Sequence, residues 1–121
     1  MKGSEGAESK VNRGEVYLLD LSREAGRLKK ERPVVVIQND IGNVHSSETI
    51  VAAVRDRQRG GMLPIFVPVG RGTGGLKKDS LIDTGHLATV GKVGLGRKLG
   101  TLPPRVMAQV DEALKISLDL I

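Results

Sequence analysis

The side chains whose type and spacing could do chemistry are a few arginines and two histidines. Arg32 stands directly before Pro33 in Glu31-Arg32-Pro33-Val34-Val35-Val36-Ile37-Gln38-Asn39-Asp40. Proline lacks a backbone donor and pushes its predecessor toward an extended conformation. Arg32 is therefore expected at the mouth of an apolar, β-branched strand, with its guanidinium free to grip an oxyanion. The plainer alternative is a surface arginine in a structural ion pair with Glu31 or Asp40. Arg55, Arg57 and Arg59 follow another apolar run, Ile50 to Val54, and Arg23, Arg27, Lys29 and Lys30 precede Arg32. Clustered bases suit a polyanion or an acidic partner, although each cluster also reads as a solvated surface. His45 and His86 belong to the residue type that exchanges protons near neutrality. They are far apart, with no HExxH-like spacing, and the chain has no cysteine, so no metal site is expected. His45 falls in an expected exposed turn. His86 follows Asp83-Thr84-Gly85 just before a strand and reads first as a structural histidine.

Gly70-Arg71-Gly72-Thr73-Gly74-Gly75 matches a dinucleotide-binding glycine pattern on paper. That pattern needs a helix after it to meet the pyrophosphate, and Lys77 to Ile82 reads as a strand instead. The segment is taken as a loop, and no nucleotide cofactor is expected.

The elements that must position these groups are mostly short strands. Strands are expected at Val16–Leu21, 33–38, Thr49–Val54, Leu63–Val69, Lys77–Asp83 and Leu87–Val90. Residues 33–38 are apolar on both faces, which places them centrally in a sheet. Pro64 and Pro68 confine their strand to an edge or a bulge. Asn39 to Glu48 reads as a turn-rich connection, and 22–31 and 56–62 as basic loops. Val106, Val110, Ala113, Leu114 and Ser117 recur at helical spacing. Pro103 and Pro104 suit that helix's first turn, with Thr101 as the expected cap. Strands at this spacing, closed by one helix, predict a mainly β fold, a small barrel.

The chain has 121 residues and a formal charge of +5, enough for one domain with a small core. Residues 1–12 read as a flexible polar tail and 13–121 as the single domain. No secretory leader or membrane span is expected, which fits the cytoplasm. Tyr17 and Phe66 are the only aromatic residues. A nucleic-acid binder built this way would rely on arginine planes and phosphate contacts rather than ring stacking.

Four segments together carry a resemblance. They are Arg13-Gly14-Glu15-Val16-Tyr17 with Asp20-Leu21, the Arg32-Pro33 strand with Gln38-Asn39-Asp40-Ile41-Gly42-Asn43, Ile50 to Val54, and Val110 to Leu118. Over about Arg13 to Ile121 the chain resembles the MazF/PemK family of toxins, the mRNA interferases of toxin–antitoxin pairs. The resemblance implies an SH3-like β-barrel with a C-terminal helix, acting as a homodimer. It implies metal-independent cleavage of single-stranded mRNA at a short motif through a 2′,3′-cyclic phosphate, blocked by an acidic antitoxin. It also implies that Arg32, at the family's Arg-Pro step, is catalytic. Such cleavage needs the 2′-proton removed, the 5′-oxygen protonated and the phosphorane charge stabilised, and a guanidinium meets the third need. Arg27, Lys29, Lys30, Arg57 and Arg59 are the expected RNA contacts.

Two positions depart from the family. Arg55 stands where relatives place a threonine. Gly85-His86-Leu87-Ala88-Thr89 replaces a segment that carries an acid and an arginine. Arg55 and His86 are therefore candidate replacements, for phosphate contact and proton transfer. The competing reading is a non-catalytic or attenuated nucleic-acid-binding barrel derived from such a toxin. A gyrase poison of the same fold is disfavoured, because the C-terminus lacks the aromatic residues those toxins use.

Overall fold

The computed structural model describes residues 10–20, 31–57 and 61–120. Arg27, Lys29, Lys30 and Arg59 lie outside the described residues. The strands are β1 (Glu15–Asp20), β2 (Glu31–Val36), β3 (Glu48–Asp56), β4 (Phe66–Val69), β5 (Ser80–Gly91) and β6 (Leu95–Thr101). A short helix α1 (Asp40–His45) links β2 to β3, and α2 (Pro104–Leu118) follows β6. The strands form one antiparallel sheet in the order β4-β5-β3-β2-β1-β6.

β2 lies inside the sheet, as its two-sided apolar pattern requires. Val35 joins a core with Val16, Ala52, Val54, Ile82 and the helix residues Val106, Val110 and Ala113. Val34 and Val36 face the other way, into a second cluster with Val11, Tyr17 and Val51. The proline-bearing β4 is an edge strand, also as expected.

Four local expectations change. Residues 40–45 form α1, where Asn39 Oδ1 accepts the Gly42 N–H at 2.7 Å as an N-cap. The two strands expected after Lys77 are one strand, β5, with a register shift inside it. β6 was not expected; its glycines and bases hide a strand that pairs with β1. Thr101 ends β6 opposite Glu15, and Pro103 occupies the α2 N-cap with no side-chain cap.

The sheet rolls without a ladder between its two edges. Val67 and Val69 of edge strand β4 share a core with Val16 of β1. The seam beside β6 is filled by the turn Thr73–Gly75, part of the glycine run read as a loop. Gly75 has φ +78°, and a Cβ there would sit 2.0 Å from the Leu99 carbonyl oxygen. Only glycine allows this backbone-on-backbone approach.

Glu15 anchors β1 to β6. Its buried carboxylate accepts from the Asn12 N–H at 2.8 Å, the Tyr17 hydroxyl at 2.8 Å and Lys98 Nζ at 2.9 Å. Burial alone would raise its pKa, but the hydrogen bonds from Lys98, Asn12 and Tyr17 outweigh that and hold it below the ordinary 4.5. Burial, then the hydrogen bond and charge of Glu15, push the Tyr17 hydroxyl upward.

The lowered Glu15 pKa means this stabilisation is present above about pH 4.5 and is lost as pH falls through the lower folded value. Thermal melts of the wild type should therefore drop in Tm on acidification below about pH 4.5, and Glu15→Gln should show less of that drop. Glu15→Ala should cost about 1–3 kcal/mol at neutral pH in urea titrations, because the buried Tyr17 hydroxyl loses its acceptor.

Candidate active site

Strands β2 and β3 pair Val34 with Ala53, Val35 with Ala52 and Val36 with Val51. The same register carried two residues further sets Arg32 across from Arg55. Residues directly opposite in an antiparallel ladder share a face, and like charges there repel. Two arginines at one lip of the sheet thus form a site of stored positive potential.

Arg55 is partly neutralised. Its Nε donates to Asp83 Oδ2 at 2.6 Å, and the Asp83 side chain is 6% exposed against 50% for Arg55. Asp83 Oδ1 accepts the Gly85 N–H at 2.9 Å, so both carboxylate oxygens are occupied. The pair fixes the guanidinium by its inner nitrogen. Among the described residues nothing else bonds its outer edge.

Arg32 is exposed, and among the described residues it has no hydrogen bond or ion pair. The ion pair with Glu31 or Asp40 weighed from the sequence does not form. Asp40 Oδ1 instead accepts the Arg13 N–H at 2.6 Å and Asn43 Nδ2 at 3.1 Å. Arg32 is therefore free to meet an incoming anion.

The β5 register shift brings in His86. Asp83 is opposite Ala53, yet Leu87 is opposite Ala52 and Ala88 opposite Val51. The second register, continued by one pair, places His86 opposite Ala53 as well. In an unbroken strand residues 83 and 86 would point to opposite faces. The shift is odd, so both fall on the arginine face. Its loop is held at Thr84, whose N–H and hydroxyl both donate to the Ile65 carbonyl, at 3.1 and 2.7 Å. A Cβ at Gly85 would meet Ile65 Cδ1 at 2.7 Å, so a larger residue there would have to displace the Ile65 side chain.

Arg32, Arg55 and His86 consequently line one cavity of about 500 Å³, floored by Leu19, Val34, Val51, Ala53, Ala88 and Val90. His86 is exposed, so the structural reading of this histidine does not hold. His45 is exposed at the end of α1 and takes no part in that cavity. Arg57 is separate too. It lines another cavity with Arg71, Lys77 and Lys78, and its buried Nε has no hydrogen-bond partner among the described residues. The sequence alone did not signal Asp83, which lies 28 residues from Arg55 and meets it only through the strand register. Among the described residues no three of His, Cys, Asp and Glu gather as a metal-holding group.

Comparison with known proteins agrees with this architecture. Residues 12–118 match the family model for the PemK-like, MazF-like toxin of type II toxin–antitoxin systems. The chain is 43% identical over 112 residues to Endoribonuclease EndoA of Bacillus subtilis, covering 92% of this chain and 97% of that protein. It is 42% identical over 111 residues to Endoribonuclease MazF of Staphylococcus epidermidis, covering 91% and 92%. A solved mycobacterial endoribonuclease in complex with its cognate antitoxin superposes with a TM-score of 0.78 at 24% identity, covering 93% of this chain and 98% of that one.

The buried Asp83 gives the candidate site residue Arg55 a structural role as well. Arg55→Ala should destabilise folding by about 1–3 kcal/mol, discounted for the half-exposed arginine. Asp83→Asn should cost a similar amount, and the Arg55→Ala/Asp83→Asn pair less than the sum. A double-mutant cycle in urea reads the coupling, and strict additivity would mean the contact carries no stability.

Proposed function

We propose that this chain, which belongs to the PemK-like, MazF-like toxin family of type II toxin–antitoxin systems, is an endoribonuclease that cuts single-stranded RNA at a short motif. The observation that carries the reading is the pair of opposed arginines at one lip of the sheet. Arg55 is pinned by a buried acid and Arg32 is left free, in one cavity with a histidine. Two guanidiniums at that spacing are matched by a phosphodiester, which relieves their repulsion.

In the proposed reaction the ribose 2′-oxygen attacks the adjacent phosphorus. A phosphorus–oxygen bond forms to it, and the bond to the 5′-oxygen breaks. His86 takes the 2′-proton, as the one imidazole lining the cavity. Solvent protonates the departing 5′-oxygen. The products are a 2′,3′-cyclic phosphate and a 5′-hydroxyl. Arg32 and Arg55 hold the non-bridging oxygens, where negative charge grows in the transition state. The two arginines supply that charge, so no metal is needed.

The active form is proposed to be a homodimer. The natural inhibitor is an acidic antitoxin segment, attracted by the same potential that attracts RNA. A second reading has its own support. Arg55 stands at the strand end where the family resemblance implies a threonine, and its inner nitrogen is committed to Asp83. Such a site would bind RNA and cut it slowly or not at all.

Purified protein and a long single-stranded RNA, with end mapping, decide between these. Cleavage should persist in EDTA and leave 2′,3′-cyclic ends; loss in EDTA with recovery on Mg²⁺ would overturn the arginine mechanism. Arg32→Ala should lower kcat by about 10²-fold or more, and Arg32→Lys should recover little, because an ammonium cannot form the fork. His86→Ala should remove the acid-side limb of the pH–rate profile. RNA binding without cleavage by the wild type would establish the second reading.

A further inference from the structure

Arg32, Pro33, Val54 and Arg55 line two cavities, one on each side of the lip. The larger is the His86 cavity. The other, about 240 Å³, opens at the end of the rolled sheet. Its floor is apolar, made by Leu18, Pro33, Val54, Leu76 and Leu99. Its rim is mainly cationic beyond the two arginines: Lys77, Lys78 and Arg97 stand around it, with Asp56 as the one acid in its lining. All three are exposed, and among the described residues Lys77 and Arg97 have no ion pair. Lys78 lies 3.8 Å from Asp56, at the far limit of an ion pair.

An apolar floor under a ring of positive charge suits a flat, apolar-faced group carrying phosphates on its edge. A nucleobase with its flanking phosphates has that chemistry. A phosphate held between Arg32 and Arg55 sits on the wall that the two cavities share. The neighbouring nucleotide on one side is then delivered directly to the small cavity.

We infer that this barrel-mouth cavity is a nucleotide subsite: one base flanking the scissile phosphate lies on Leu18, Leu76 and Leu99, and Lys77, Lys78 and Arg97 hold the next phosphate. The inference rests on the endoribonuclease reading and deepens it. It assigns part of the cleavage-motif selectivity to apolar contact in a cavity that neither Tyr17 nor Phe66 lines. A volume of this size takes one base and no base pair, so it also selects unpaired RNA.

The test uses single-stranded oligoribonucleotides around a mapped cut, each with one abasic position. In the wild type, removing the base on one side of the cut should lower kcat/KM by about tenfold or more. Leu18→Trp, which fills the cavity, should suffer that loss on intact RNA and no further loss on the abasic RNA. Lys77→Ala/Lys78→Ala/Arg97→Ala should raise KM by about tenfold, with the loss falling on KM rather than kcat. It should also flatten the salt dependence of binding by about two ion-release units, while Lys115→Ala, on the exposed side of α2, should not. The three cations are exposed, so this variant remains informative if Leu18→Trp fails to fold. Equal abasic penalties in Leu18→Trp and wild type, or an unchanged KM and salt slope in the triple variant, would overturn the subsite alone. A wild type that neither binds nor cuts RNA would overturn the parent reading and the subsite with it.

Discussion

The site depends on the change of register between β3 and β5. One set of pairs aligns Ala53 with Asp83 and the next aligns Ala52 with Leu87. The intervening residues reverse the side-chain parity of β5. An acid before the shift and a histidine after it therefore reach the same face. Without that reversal Asp83 could still orient Arg55, but His86 would point into the core side of the sheet. The shift is held from two directions. Ile65 accepts two hydrogen bonds from Thr84, and Ser117 of α2 donates to the Thr84 carbonyl at 2.9 Å. The C-terminal helix thus fixes the geometry of a cavity that it does not line.

Charge is distributed with the same logic. Two buried acids of the sheet are each committed to one basic partner: Glu15 to Lys98 and Asp83 to Arg55. Arg32, Lys77 and Arg97 have no such partner among the described residues. The lip and the mouth of the barrel therefore concentrate positive potential without requiring a large net charge.

Much of this was legible in the sequence, and the misses have physical causes. β2 was readable because apolar residues on consecutive positions need a covered strand on both faces. β4 was readable as an edge because Pro68 cannot complete two ladders. α2 was readable from its 3.6-residue period. β6 was not, because Gly96, Arg97, Lys98 and Gly100 carry almost no strand propensity; its pairing with β1 and the Glu15–Lys98 contact supply what propensity lacks. α1 was hidden by its length and by Gly42, although the Asn39 cap was in view. β5 was divided in two because Asp83-Thr84-Gly85 has the composition of a turn. Arg32 was placed at the mouth of its strand by its neighbour Pro33. The partnership of Arg55 with Asp83 was not legible, because it exists only in a register between strands far apart in the chain. His86 was identified as a candidate by its departure from the resembling family, and the parity reversal explains why it faces outward.

The pairing of β1 with β6 has a consequence for biosynthesis. Glu15 meets Thr101 and Tyr17 meets Lys98, so one side of the first strand has no ladder partner until the last strand has been made. The contacts that complete the sheet span nearly the whole chain, which favours slow closure. A nascent chain can pair β1, β2 and β3 early, yet Asp83, the anchor for Arg55, and His86 arrive with β5. The seam closes later still. The two arginines can be emerged and aligned while the other residues of the proposed site are unmade, so the proposed activity would appear only as synthesis finishes. The interval before that leaves an unpaired strand edge in solution, the kind of surface that other chains or chaperones capture.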